Sequence, residues 1–298
     1  MECIYCIVDL HSLTGGYDVS TMASRTRDMA IGLLAAGIDP ERSLLFVQSR
    51  VAEHSELQWL FTTLTPLGEL ERMTQFKDKS ERMESVPAGL LAYPILQAAD
   101  ILLYRADRVP VGEDQLQHLE LTREIARKWN SAFAETDPFF PEPQALLTPA
   151  RRILGLDGQS KMSKSLGNTI GLLDPPEVVW NKLRPAMTDP ARVTRRDPGN
   201  PEVCNMFTLH RSFSAPDTVA TVDANCRSAG WGCLDCKRVL ADAMETALGP
   251  IRGRAEALKS DPASVDTILE TGAERARTLA RETMAEVRDR MGFWHPED

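Results

Sequence analysis

A loop with two lysines and two serines holds the residues best suited to chemistry in this sequence. Lys161 and Lys164 lie three residues apart, with Ser163 and Ser165 beside them and a glycine on either side. Their ammonium and hydroxyl groups can converge on one polyphosphate, because phosphoryl and nucleotidyl transfers need positioning and charge stabilisation of the leaving group. The alternative is a solvated surface loop, which is the commoner role of two lysines at this spacing.

Four cysteines in the second half of the chain form a second set of reactive residues. They are Cys204, Cys226, Cys233 and Cys236, with the spacing C-x21-C-x6-C-x2-C. Four thiolates suit a tetrahedral zinc ion or an iron–sulfur cluster, and spacing alone does not separate the two. The alternative is four unconnected core cysteines. Cys3 and Cys6 lie in a predicted strand and point to opposite faces, so we interpret them as core residues.

The composition is that of a globular protein. Of 298 residues, 43% are hydrophobic and 26% are charged, and no apolar run approaches the roughly 18 residues of a membrane span. The N-terminus lacks the features of a signal peptide, so the sequence predicts a cytoplasmic protein with free thiols. A net charge of −9 argues against non-specific binding of nucleic acid over the whole surface. Local basic clusters at 192–196 and 237–238 are the candidates for a smaller nucleic-acid-binding surface, although such short clusters are usually solvated surface.

Strands and helices alternate in the first half of the chain. Apolar runs predict strands at 3–9, 44–47 and 109–111, separated by helices at 24–36, 53–63, 88–103 and 114–129. This order is typical of a parallel sheet covered by helices, in which ligands bind beyond the carboxyl ends of the strands. His11 and the segment 112–115 both follow strands, so we expect them at one site.

Strand patterns end near residue 175, and amphipathic helices follow at 177–183, 237–248 and 273–290. The last helix has an apolar stripe formed by Ala276, Leu279, Thr283, Met284, Val287 and Met291. The sequence therefore predicts an α/β domain over 1–174, an all-helical domain over 175–272 that carries the four cysteines, and a C-terminal helix over 273–298 that packs back toward the first domain.

Several motifs, in order, resemble those of one enzyme family. They are DLH at 9–11, GELERMTQFK at 68–77, YPILQAAD at 93–100, VPVGEDQ at 109–115 and KMSKS at 161–165. The last is similar to the lysine loop of aminoacyl-tRNA synthetases built on a dinucleotide-binding fold, and together they resemble bacterial tryptophanyl-tRNA synthetase. The resemblance implies a Rossmann-like catalytic domain with a parallel sheet, an anticodon-binding role for the helical domain, and a homodimer.

The implied function is a tryptophan–tRNA ligase that uses ATP and Mg²⁺. The tryptophan carboxylate attacks the α-phosphorus of ATP, while Mg²⁺, Lys161 and Lys164 stabilise the leaving pyrophosphate, and the tryptophanyl group then passes to the 3′ end of tRNA(Trp). The resemblance assigns catalysis to Lys161, Lys164 and Ser163, and ATP binding to Gly112, Glu113, Asp114, Lys79, Lys161, Met162, Ser163, Lys164 and Ser165.

The residue types also fit an indole pocket. Val109 and Val111 share one face of a strand and can form an apolar wall, and Asp100 in an apolar helix can accept the indole N–H. A buried acceptor left unpaired costs ~1–3 kcal/mol, so Asp100 should reject phenylalanine. The alternative is that Asp100 caps a helix or pairs with a neighbour such as Arg105. The resemblance adds Tyr93, Gln115, His11 and Gln97 to the tryptophan site, although many family members have methionine in place of Gln97, whose role is left open.

A subset of the family has a similar cysteine pattern that holds a [4Fe–4S] cluster. The resemblance therefore implies a cluster at Cys204, Cys226, Cys233 and Cys236, with Zn²⁺ as the second choice. It also implies an earlier strand and a His-Ile-Gly-His-like motif, about 30 residues that this sequence does not contain. We accordingly expect the chain as written to activate tryptophan poorly. A tyrosine-specific synthetase and a non-catalytic tRNA-binding or redox-sensing iron–sulfur protein are the alternatives.

Overall fold

A computed structural model describes residues 3–16, 18–81, 83–147, 154–160, 162–163 and 166–294. The chain divides into two compact units. The first unit comprises Met1–Ala30, Ile38–Pro149 and Pro262–Asp298, and the second comprises Ile31–Gly37 and Ala150–Asp261. These units are defined by packing, and the roles predicted for 1–174, 175–272 and 273–298 stay predictions.

The described strands all belong to the first unit and pair in parallel. Strand β1 (Cys3–Ile7) pairs with β2 (Ser43–Val47), and β3 (Arg108–Val111) pairs with β4 (Gln144–Leu147). Within the described residues these are two sheets of two strands each. The predicted α/β class with parallel strands and a helical C-terminal region is confirmed.

Helices surround these strands. In the first unit they are α1 (Asp9–Ser12), α3 (Glu53–Leu64), α4 (Leu67–Glu71), α5 (Thr74–Ser80), α6 (Ala88–Leu102), α7 (Leu116–Phe133) and α12 (Pro262–Arg290), while α2 (Met22–Ala36) begins in the first unit and ends in the second. The strand β1 ends earlier than predicted, so His11 lies in a short helix after the strand. Among the described residues, no helix has the length and apolar character needed to cross a membrane.

The C-terminal helix α12 packs against β2 in the core of the first unit. Ala276, Met284 and Val287 are fully buried, whereas Leu279 of the predicted stripe is exposed. A methyl group at Gly272 would lie 2.0 Å from the carbonyl oxygen of Leu45, so the helix approaches the strand backbone more closely than any other residue type permits. The helix begins at Pro262, earlier than its apolar stripe indicates, because proline suits the first helical turn.

The second unit is helical where it is described. It contains α8 (Pro176–Leu183), α9 (Asn205–Phe213), α10 (Pro216–Arg227) and α11 (Cys233–Ser260), around a separate apolar core. Cys204 lies just before α9, Cys226 in the last turn of α10, and Cys233 and Cys236 in the first turn of α11. These helix ends place all four cysteines at one end of the helical core.

Candidate active site and cysteine cavity

Asp100 lies at the centre of a buried hydrogen-bond network in the first unit. Its Oδ1 is 2.6 Å from Nδ1 of His54 and accepts from Nε2 of Gln48 at 2.7 Å, and its Oδ2 is 2.8 Å from Nε2 of His11. Because a carboxylate only accepts, each histidine nitrogen facing it carries the proton. The alternative pairing with Arg105 is wrong, since the guanidinium of Arg105 instead lies 4.9 Å from the ring centroid of Phe139.

This network keeps Asp100 ionised. Burial alone would raise the pKa of the carboxyl, but the hydrogen bonds from His11 and His54 outweigh it, and the pKa lies below its ordinary value. An ionised carboxylate offers about four acceptor positions, and three are filled. Within the part of the chain that the structure describes, only His11 binds Oδ2, which leaves one acceptor position there for a further donor.

Tyr93, Gln97 and Asp100 share one half-buried face of α6, because they are spaced by four and three residues. The hydroxyl of Tyr93 donates to Oε1 of Gln75 at 3.1 Å and lies 2.8 Å from Nε2 of His118. The ring of His11 meets the ring of Tyr93 edge-on at 6.3 Å. Predicted site residues from α1 and α6 are thus brought together.

His118 is a buried member of this site that the sequence patterns missed. Burial lowers its pKa, and its Nδ1 has no hydrogen-bond partner among the described residues. An unpaired buried acceptor is better tolerated than an unpaired N–H, so the proton belongs on Nε2. His118 then donates to the hydroxyl oxygen of Tyr93, which leaves the tyrosine O–H to donate to Gln75 and fixes its direction.

The segment after β3 lies beside the same tyrosine. Gln75 donates through Nε2 to the backbone oxygen of Asp114 at 3.2 Å, and Gln115 donates to Oδ2 of Asp114 at 3.1 Å. A methyl group at Gly112 would lie 2.7 Å from Oδ1 of Asp114, so this carboxylate lies directly against the glycine backbone. Lys79 has its Nζ 5.2 Å from the ring centroid of Tyr93.

The remaining predicted residues of this segment differ in exposure. Val109 and Val111 are half-buried on one face of β3, as an apolar wall requires, and Glu113 is exposed.

Of the lysine loop, Lys161, Lys164 and Ser165 lie outside the described residues, while Met162 and Ser163 are half-buried. The base of the loop is held by two residues that the sequence patterns missed. The side chain of Asn168 accepts from the backbone N–H of Ser163 at 2.8 Å and donates to Asp157 at 2.9 Å. A methyl group at Gly155 would lie 2.0 Å from Nδ2 of Asn168, so the amide is closely enclosed.

The four cysteines of the second unit line one cavity of about 20 Å³. Burial raises the pKa of Cys236 to about 12, and it also raises the pKa of Cys226 above its ordinary value. The thiols of Cys226 and Cys236 are therefore protonated at neutral pH, and because thiolates are the ligand form, binding a metal through them would release protons.

The predicted metal is not established by this geometry. Among the described residues, no three histidine, cysteine, aspartate or glutamate side chains are arranged to hold a metal ion. A tetrahedral zinc ion needs sulfur atoms about 4 Å apart, as follows from its Zn–S bonds of about 2.3 Å. The four thiols line one cavity, and within the described residues they are not grouped as such a ligand set.

The sequence patterns did not place Gly199 or Arg192 at this cavity, and they placed Lys237 on the surface. A methyl group at Gly199 would lie 2.6 Å from Sγ of Cys226, so the chain passes close to that thiol. Arg192, predicted in a basic surface cluster, is half-buried beside the cavity, with its Nε unpaired among the described residues. Lys237, predicted in the second basic cluster, is instead buried and donates to the carbonyl oxygens of Arg184 and Ala186.

Comparisons with known proteins agree with this arrangement. Residues 1–249 match the family described as tRNA synthetases class I (W and Y). A tryptophan–tRNA ligase of Deinococcus radiodurans is 56% identical over 295 residues, which cover 98% of this chain and 88% of that protein. One of Thermotoga maritima is 46% identical over 297 residues, with coverage of 98% and 89%.

A solved structure adds to these relatives. The crystal structure of tryptophanyl-tRNA synthetase from Campylobacter jejuni, complexed with ADP and tryptophan, superposes with a TM-score of 0.88 at 32% identity and covers 97% of this chain and 89% of that one. The chain therefore belongs to the bacterial tryptophanyl-tRNA synthetase family of the class I tRNA synthetases.

Proposed function

We propose that this chain is a tryptophan–tRNA ligase, which activates tryptophan with ATP and transfers it to tRNA(Trp). The observation that carries the proposal is the buried carboxylate of Asp100, whose Oδ1 binds His54 and Gln48 and whose Oδ2 binds only His11 among the described residues. A neutral aromatic ring with a single N–H donor is the complement of such a site. The relatives in Deinococcus radiodurans and Thermotoga maritima, both tryptophan–tRNA ligases, support the same substrate.

In the proposed tryptophan site, the indole N–H donates to Asp100 and the ring packs against Val109 and Val111. Tyr93 and Gln115 contact the ammonium or carboxylate group of the amino acid. The contacts that support Tyr93 in this role are those with Gln75 and His118, which fix the direction of its hydroxyl. His11 has two tasks, since it both holds Asp100 and borders Tyr93. Gln97 lies on the same helical face and can contact the substrate with its amide.

In the proposed ATP site, Lys161 and Lys164 stabilise the leaving pyrophosphate, and the hydroxyl of Ser163 binds a phosphate oxygen. Mg²⁺ enters with ATP and supplies further positive charge. The hydrogen bond from Ser163 to Asn168 supports this role, because a lysine loop needs a fixed base to place its charges. Met162 and Ser165 belong to the same loop, and Lys79, Gly112, Glu113 and Asp114 are the further residues that we propose near the nucleotide.

Amino-acid-dependent exchange of pyrophosphate into ATP tests this function. Whatever the absolute rate, we expect exchange to be fastest with tryptophan, at background with phenylalanine, and at least 100-fold slower with tyrosine. The matched variant is Asp100→Ala, which should abolish the preference for tryptophan over phenylalanine. Equal exchange with tyrosine would favour the tyrosine-specific alternative, and no exchange with any amino acid would favour the non-catalytic alternative.

We also propose that Cys204, Cys226, Cys233 and Cys236 hold a [4Fe–4S] cluster, with Zn²⁺ as the alternative. Support comes from the cavity that the four cysteines share and from the backbone of Gly199, which passes close to the thiol of Cys226. Iron and acid-labile sulfide analysis of anaerobically purified protein tests the proposal. Four iron and four sulfide per chain are expected, and stoichiometric zinc without sulfide would refute the cluster.

The remaining partners and the assembly also form part of the proposal. We propose that the helical residues 175–272 bind the anticodon, that the protein is cytoplasmic, and that two chains associate through their catalytic domains. Exposed apolar side chains of the first unit, such as Trp59 at 67% and Leu67 at 59% exposure, are of the kind that an interface covers. Sedimentation equilibrium distinguishes the dimer from the monomer.

A further inference from the structure

We propose that His54, supported by Tyr104, is a positioning residue that fixes the Asp100 carboxylate and thereby sets the preference of this site for ligands with an indole N–H. The inference rests on the proposed function, since it concerns the contact between Asp100 and tryptophan. His54 itself is fully buried and has no route to the substrate, so it acts through Asp100 alone.

The hydrogen bonds of His54 assign its proton. Its Nδ1 faces Oδ1 of Asp100 at 2.6 Å and its Nε2 faces the hydroxyl of Tyr104 at 2.9 Å. Because the carboxylate can only accept, the proton lies on Nδ1, and Nε2 then accepts the O–H of Tyr104. Each polar atom of the imidazole and the phenol thus has a partner, and the three groups form one directed chain from phenol to carboxylate.

Aromatic packing prevents the imidazole from turning. The ring of His54 lies 5.9 Å from that of Phe46 and 5.4 Å from that of Tyr104, and the two neighbours lie 5.8 Å from each other. Phe46 belongs to β2, His54 to α3 and Tyr104 to the turn that follows α6, so three segments of one unit hold the histidine. A side chain locked by packing can fix the geometry of the group to which it donates.

These contacts fix the orientation of the Asp100 carboxylate. His54 and Gln48 both bind Oδ1, whereas only His11 binds Oδ2. With Oδ1 held from two sides, the carboxylate plane cannot rotate, and the unfilled position on Oδ2 keeps one direction. A site built to hydrogen-bond one N–H discriminates strongly against a ligand that lacks it, provided that the acceptor is held in place.

The test compares tryptophan with its analogue in which sulfur replaces the indole N–H, β-(benzothiophen-3-yl)alanine. Calorimetry on the whole protein without ATP gives the two dissociation constants, and their ratio isolates the N–H contact from ring packing. A hydrogen bond to a charged group corresponds to a preference of about 10- to 100-fold for tryptophan in the wild-type protein. His54→Leu should reduce this preference to less than about threefold, whereas the affinity for the analogue should change little.

Two further variants make the test independent of whether His54→Leu folds. His54→Asn keeps a donor near the position of Nδ1 and should retain most of the preference. Tyr104→Phe removes only the hydroxyl and should lower the preference several-fold. As a matched control, Trp129→Phe perturbs a fully buried ring of the same unit outside this network and should leave the ratio unchanged.

The possible outcomes distinguish a failure of the proposed Asp100–indole contact from a failure of the proposed role of His54. A wild-type ratio near one would overturn the proposed contact of Asp100 with the indole, and this inference with it. A high wild-type ratio that Tyr104→Phe and both His54 variants preserve, even if both ligands bind more weakly, would overturn this inference alone, because His54 would then be merely structural.

Discussion

At the residue scale, the charge of Asp100 depends on donors that come from distant parts of the chain. Its partners are His11, Gln48 and His54, and all three precede it by 46 residues or more. The spacing within YPILQAAD predicts that Tyr93 and Asp100 share a face, because they are seven residues, or about two turns, apart in one helix. No such period exists for Gln48 or His54, so the donors could not be predicted.

The depressed pKa of Asp100 predicts a pH dependence of stability. Because the carboxyl has a lower pKa in the folded than in the unfolded protein, its contribution is complete above the unfolded value of about 4 and is lost as the pH falls through the folded value. Asp100→Asn should therefore reduce the free energy of unfolding at pH 7 by about 1–3 kcal/mol. The amide has only one oxygen, so its NH2 group would face a donor from a histidine or from Gln48 that the carboxylate accepts.

Urea denaturation of both proteins between pH 7 and pH 3 measures this difference. The deficit of the variant should be constant from pH 7 to about pH 5 and shrink below about pH 4, where Asp100 of the unfolded wild-type chain begins to be protonated while the folded carboxylate is still ionised. A deficit that grew toward acid pH would contradict the assigned direction of the pKa shift. Asp137→Asn, at an exposed carboxylate of the same unit, serves as the matched control.

At the element scale, the base of the lysine loop is a separate structural feature from the lysines that it carries. Asn168 binds both Ser163 and Asp157, and Gly155 leaves room for its amide. The motif KMSKS indicated the chemistry, but it did not indicate the residue that anchors the loop, because the anchor is a tertiary contact between backbone and side chain.

Asn168→Ala should consequently impair the activation step rather than tryptophan binding. We expect kcat of pyrophosphate exchange to fall about tenfold, in proportion to one lost positioning hydrogen bond, while the dissociation constant of tryptophan without ATP is unchanged. Asn168→Asp keeps an acceptor for Ser163 but sets a second carboxylate against Asp157, so it should be no more active than the alanine variant. Equal losses in kcat and in tryptophan affinity would contradict this separation of roles.

The contact between α12 and β2 gives a second prediction at this scale. Gly272→Ala places a methyl group 2.0 Å from the Leu45 carbonyl oxygen, so helix and strand must separate. We expect a loss of about 1–3 kcal/mol in the free energy of unfolding despite the better helix propensity of alanine. Gly253→Ala in α11 is the matched control, because open space surrounds that position, and it should be neutral or stabilising by up to about 1 kcal/mol. Thermal and urea unfolding of the two variants and the wild-type protein measure these differences in stability, and a Gly272→Ala variant as stable as the wild type would contradict the prediction.

The elements themselves could be predicted to different degrees. The helices α3 and α6 follow from apolar periodicity almost to their ends, and Pro262 would have located the start of α12. The strand β4 could not be predicted, since Gln144–Leu147 is short and mostly exposed and lacks an alternating pattern. The cysteine spacing predicted that four cysteines form one site, and the structure places all four around one cavity. The spacing did not predict that Arg192 and Gly199 lie beside them.

At the scale of the whole molecule, the two proposed centres belong to different units. Every residue proposed to contact tryptophan lies in the first unit, and all four cavity cysteines lie in the second, each unit having its own apolar core. The contribution of the cysteines to stability should therefore be separable from substrate binding.

Removal of the proposed cluster tests this separation. Cys226→Ser in the whole protein should lose the iron and sulfide and lower the midpoint of thermal unfolding, because a bound group that requires the folded state stabilises that state. The dissociation constant of tryptophan should stay within about twofold of the wild-type value, since no proposed contact is altered. The matched control is Cys3→Ser in β1, which should keep the iron. If Cys226→Ser loses its metal and its tryptophan affinity together, the two centres are energetically coupled, and the assignment of independent roles to the two units is wrong.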